Sequence, residues 1–162
     1  MAVTDYFLKL DGIPGESTDH KHKGEIDILS WSWGASQSGT MAYGGGGGAG
    51  KVAFSDISFT AKMSKASVKL MLLCCSGEHI KNALLTCRKA GKDQQEYYTI
   101  KLETILVSSY HTTGGGGADI IPTDTFSFNF AKLTTDYKEQ KPDGTLGGVV
   151  SANWSVKDNK GA

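Results

Sequence analysis

Five consecutive glycines, Gly44 to Gly48 with Gly50 close behind, set the strongest constraint on this chain of 162 residues. Glycine loses more backbone freedom on ordering than any other residue, so such a run is ill suited to the interior of a strand or helix. The stretch Ser30–Val52, SWSWGASQSGTMAYGGGGGAGKV, therefore reads as two tryptophans on a strand giving way to a long loop. At about fifteen residues between elements, that loop exceeds the usual connection of roughly four to six, which marks it as functional or disordered. Small residues let its backbone approach a neighbour closely, and Met41 and Tyr43 offer anchors. The segment from Gln37 to Gly50 is accordingly the candidate for contact outside its own subunit. The contact residues are Gln37, Ser38, Met41, Tyr43, Gly44, Gly45, Gly46, Gly47, Gly48 and Lys51.

Elsewhere the chain alternates like strands. Asp5 to Leu10 reads as the first. A charged surface loop, ESTDHKHK, follows at Glu16 to Lys23. Ile26 and Ile28 share a face, but the apolar phase then jumps to Leu29, Trp31 and Trp33, as a bulge or strong bend would cause. Val52 to Thr60, Ala83 to Arg88 and Glu96 to Val107 continue the pattern, the last with Tyr98, Ile100, Leu102 and Leu106 on one face. Phe126, Phe128 and Phe130 against Ser127 and Asn129 give the sharpest alternation, and Val150, Ala152, Trp154 and Val156 end the series. The single helix is Ser64 to Ser76, capped by Ser64 or Ser67, stopped at Gly77, and burying a stripe of Val68, Met71, Leu72 and Cys75. The expected fold is mainly β: one domain over residues 1–162, a barrel or sandwich of about seven to nine strands with one flanking helix.

Chemistry is hard to find. Gly45, Gly50 and Lys51 match the phosphate-loop spacing, but Val52 stands where a magnesium-binding hydroxyl is required and a strand follows where a helix should. His20 and His22 lie on a charged loop without a fixed third ligand, so the expectation is solvated side chains and no metal. Cys75 and Cys87 fall on apolar faces and read as core thiols, with Cys74 the more exposed. Trp31 and Trp33 read as core, with subunit contact as the alternative. No carboxylate pair suggests acid/base work, and no cofactor is expected. Lys plus Arg and Asp plus Glu both number 17, so the net charge is zero; no field draws the protein to nucleic acid or an anionic membrane, and little repulsion opposes self-association. Neither a secretory signal nor an apolar run long enough to span a bilayer is evident, which implies synthesis in the cytoplasm.

Taken together, GESTDHKHKGEIDILSWSWGASQSG, GGGGGAGK, CSGEHIKNALLTCRKAG, EYYTIKLETILVSSYHTTGG and FSFNFAKLTTDYKEQKPDG resemble the Hcp proteins of bacterial type VI secretion systems over Ala2 to Lys157. The long first block and the glycine run before Lys51 are specific in combination. The resemblance implies a β-barrel with a flanking helix, similar to phage tail-tube proteins. It also implies six-membered rings that stack into a hollow tube within a contractile sheath, capped by a spike protein and exported with effector proteins in the lumen. A monomeric module that binds carbohydrate through Trp31, Trp33 and Tyr43 is the alternative, and a small hydrolase or nucleotide-using enzyme a weaker one.

Overall fold

Phase changes in the apolar pattern are where this chain turns corners. A computed structural model of the protein describes residues 4–39, 49–89, 94–118 and 121–162. Its strands are β1 (Thr4–Leu10), β2 (Ile26–Ile28), β3 (Ser30–Ser32), β4 (Ala35–Gly39), β5 (Ala49–Phe54) and β6 (Ile57–Lys62). After the helix α1 (Lys65–Ser76) come β7 (Ile80–Lys89), β8 (Glu96–Thr113), β9 (Thr123–Gln140), β10 (Leu146–Ser155) and β11 (Lys160–Gly161). The architecture is mainly β with one helix.

The jump at Leu29 is a change of partner. β2 pairs antiparallel with β1, Tyr6 facing Ile28, while β3 pairs with β6, Trp31 facing Phe59. Leu29 bridges the two by donating its N–H to the Thr60 carbonyl at 2.7 Å. β6 in turn pairs with the first half of β9, β9 with β8, β8 with β7, and β7 with β1. The sheet thereby closes on itself, and β10 and β11 extend it beyond the closure along the second half of β9. Closure removes strand edges that would otherwise invite mispairing.

Phe59, Phe126 and Phe128 fill the interior, their rings 5.2 to 5.5 Å apart, at separations favoured by aromatic pairs. In β8 the expected face of Tyr98, Ile100, Leu102 and Leu106 breaks. Ile100 and Leu102 are buried, but so are Ile105 and Val107, while Leu106 is only half-buried. Thr104, at φ 53°, flips the phase between them. The predicted strand Val52–Thr60 is likewise two, interrupted at Ser55 and Asp56, because the chain leaves one sheet there and enters another.

Both ends of α1 are as expected. Ser64 and Ser67 form a reciprocal capping box and Gly77 closes the helix in the left-handed region. The buried stripe is not. Ala66, Ser67 and Leu70 face the barrel, with Leu73 and Cys74 packed at the margin, while Val68 and Leu72 are 68% and 59% exposed and Met71 and Cys75 are also exposed. The helix is apolar almost all round, so its own pattern leaves two orientations open. Ser67 chooses one: its hydroxyl donates to buried Asp124 on β9, which also accepts from the Tyr110 hydroxyl at 3.0 Å. The expected order of Cys74 and Cys75 is thus reversed.

Candidate assembly surface

The segment around the glycine run is a ribbon more than a loop. Among the described residues β4 and β5 pair only with each other, Ala35 opposite Phe54, Gln37 opposite Val52 and Gly39 opposite Ala49. Gln37, Ser38 and Lys51 therefore sit in strands, which corrects the expectation of an irregular loop from Gln37 to Gly50. Met41, Tyr43 and Gly44 to Gly48 fall within 40–48, outside the described residues.

Two features fix the ribbon's base. Ser55 donates its N–H to the Gly34 carbonyl at 2.9 Å and accepts the Gly34 N–H on Oγ at 2.8 Å. Phe54 packs between Trp33, at 6.2 Å, and Phe130, at 5.7 Å. Beyond that base every residue of β4 is exposed. The strands lie close at Gly50, where a Cβ would collide with the Ser38 hydroxyl and stand 2.6 Å from the Ser38 carbonyl oxygen. A two-stranded ribbon with so little apolar cover is marginal alone in water.

The tryptophans are not a binding platform. Trp31 packs edge-on to Tyr6 at 6.1 Å and against Tyr98 at 5.9 Å, and both tryptophans lie against the core. Gly50 and Lys51 belong to a strand that continues to Phe54, so the geometry of a phosphate loop is missing.

A second surface was not legible from the sequence. β10 is paired with β9 along one side, while on the other, among the described residues, β11 and Ala162 cover Asn153, Trp154 and Ser155. From Gly148 to Ala152 the strand is exposed. Val150, at 71% exposed, faces half-exposed Tyr137 across the pair. Val149 beside Val150 was the available signal, an apolar pair that an ordinary one-faced strand would not carry.

His22 is also a correction. His20 is exposed as expected, but His22 is buried, stacked on Phe7 at 4.4 Å with its Nδ1 2.9 Å from Glu25 Oε2 and its Nε2 2.7 Å from Glu96 Oε1. Beside it Arg88, only 2% exposed, lies 4.7 Å from the Phe7 ring and joins Asp5 and Asp19. These contacts tie the 16–24 loop to β1, β7 and β8. Among the described residues no group of three or more His, Cys, Asp or Glu side chains is placed to hold a metal ion, and no helix is long and apolar enough to cross a membrane.

The family profile described as "Type VI secretion system effector, Hcp" matches residues 7–137. The chain belongs to the Hcp family. Protein hcp1 of Pseudomonas aeruginosa is 50% identical over 161 residues, 98% of each chain. The crystal structure of Hcp1 from Salmonella typhimurium superposes with a TM-score of 0.84 at 35% identity, over 99% of this chain and 100% of that one. A solved type six secretion system protein reaches 0.93 at 34% identity over the same shares. This Hcp protein is therefore a secreted tube component of a type VI secretion system, from a family of structural proteins and not of enzymes.

Proposed function

We propose that this Hcp protein assembles into six-membered rings that stack into a hollow tube, with effector proteins carried in the lumen. A spike protein at the tip and a contractile sheath around the tube are its further partners. The observation that carries this reading is the β4–β5 ribbon, in which β4 is exposed throughout and which pairs with no other strand among the described residues. A ring forms when one surface of a subunit meets a different surface of its neighbour and the rotation closes; stacking repeats a contact along an axis that never closes. The ribbon supplies a projecting surface. The open edge of β10 supplies a second contact, since a neighbour's strand would satisfy its free backbone groups and cover Val149 and Val150.

Light scattering on the purified protein tests the reading. A mass of six chains, with annular particles in negative stain, is the expected result. A single-chain mass at high concentration overturns it.

A further inference from the structure

If the ribbon projects onto a second copy, some surface of that copy must receive it. Between the end of β6, the start of α1 and the turn before β9 lies a groove of about 300 Å³. Its apolar lining is Leu29, Met63 and Ile121, all three exposed although large and apolar. Glu16 and Asp27 line it as well, with Lys62.

The two carboxylates outnumber the one lysine of the groove, and Lys62 is not within ion-pair distance of either. Neither forms an ion pair among the described residues. Glu16 accepts the Lys65 N–H at the start of α1, at 3.0 Å. Partial desolvation pushes the Asp27 carboxyl above its ordinary range; the Ser17 hydroxyl opposes this by hydrogen bonding, and the charges of Asp5 and Asp19 add smaller upward pushes. A cation entering the groove would favour the charged form of the carboxyl.

The ribbon carries the matching charge. In Ala35–Gly39 and Ala49–Phe54 the single ionisable side chain is Lys51, exposed and without an ion pair among the described residues. Lys51 does not line the groove of its own chain. Gly50, Ser38 and Ala53 around it are small, so the ribbon can lie close to an apolar wall. Other grooves fit less well. The one beside the second half of α1 is lined by as many lysines, Lys69 and Lys81, as carboxylates, Asp11 and Glu78, and at the Tyr97–Asp136 groove Glu96 is bound to His22.

We propose that the groove of Leu29, Met63 and Ile121 is the seat for the β4–β5 ribbon of a second copy, with the partner's Lys51 held by Glu16 and Asp27. The inference rests on the ring reading above and deepens it by naming where the ribbon goes. Both halves of the contact come from one sequence, so each copy gives a ribbon and receives one, as a head-to-tail assembly requires.

Charge exchange tests it, read by sedimentation velocity. Lys51→Glu and Glu16→Lys, each alone, place like charges together and weaken association by about tenfold or more. The double variant Lys51→Glu/Glu16→Lys recovers most of the loss. Ile121→Arg, at the exposed rim of the groove, blocks the seat while leaving the thermal unfolding of the barrel in place. Single variants that associate like the parent overturn the proposal, as does loss in both singles without recovery in the double. In either case the parent's own six-chain mass keeps the ring reading intact, whereas a monomeric parent defeats both.

Discussion

The guanidinium of Arg88 holds both carboxylate oxygens of Asp19, through Nη1 to Oδ1 at 3.0 Å and Nη2 to Oδ2 at 2.7 Å. Nη2 also reaches Asp5 at 3.1 Å. This two-pronged pair fixes the 16–24 loop on β7, and the loop carries Glu16 and leads into Asp27. A bidentate contact adds geometric definition to charge, which a lysine at the same position would not supply.

Acid should release this tie. The Arg88 hydrogen bonds, helped by the Lys21 and His22 N–H groups, hold the Asp19 carboxyl well below the usual carboxylate range in the folded protein. A depressed folded value means that the stabilisation is complete above the unfolded value of about 4 and fades as pH falls toward the lowered one. Asp19→Asn should lower the melting temperature clearly at about pH 7 and by less at about pH 3. An equal deficit at both values would show that the loop depends on the side chain's shape and not on its charge.

Helix termination gives a second expectation. Gly77 closes α1 at φ 71°, and a Cβ there would meet nothing within 4 Å. Any cost of Gly77→Ala is therefore conformational, about 1 kcal/mol, since an L-residue is strained in the left-handed region. Urea unfolding measures it. No change in midpoint would mean that the last turn frays freely.

Those helix ends were readable because capping is local: Ser64, Ser67 and Gly77 act within a few residues of themselves. The Phe126, Phe128 and Phe130 alternation was readable for the same reason, since period two survives wherever one face of a strand is buried. The orientation of α1 was not. It is decided by Asp124, 57 residues away from Ser67, and the helix's own apolar residues run nearly all round it. The phase flip at Thr104 left no mark in a segment apolar on both sides, and the burial of His22 depends on Phe7 and Glu96, which the fold alone brings together. In the ribbon, glycine content hid the strand pairing at Gln37, Ser38 and Lys51, because close approach at Gly50 calls for the residue that usually signals a loop.

Thiol reactivity separates the three cysteines. Burial pushes the Cys87 thiol up to about 12, so it stays protonated and enclosed. Cys75 is exposed and Cys74 half-buried. Alkylation of the native protein at about pH 8, followed by peptide mass spectrometry, should modify Cys75 first and leave Cys87 unmodified until the protein unfolds. Modification of Cys87 at the rate of Cys75 contradicts the placement of β7 in the core.

Assembly and folding should come apart in a pair of variants. Gly50→Val puts a branched side chain against the Ser38 hydroxyl and carbonyl, so β4 and β5 must separate there, yet the one residue of the two strands packed against the core, Phe54, lies at the ribbon's base, four residues from Gly50. The barrel's unfolding free energy should change by no more than about 0.5 kcal/mol, as for surface substitutions away from caps and cores. Association should fall sharply, because the ribbon can no longer present its paired form to a neighbour. Phe128→Ala does the opposite. Its ring is fully enclosed between Phe59 and Phe126, and its removal costs about 3–5 kcal/mol through lost burial and an unfilled cavity. If that variant still folds at low temperature, its ribbon and groove are unchanged and it should still associate. The two measurements are a melting curve and a sedimentation profile for each variant. Rings that survive Gly50→Val would remove the ribbon from the interface and leave the β10 edge as the contact that holds copies together.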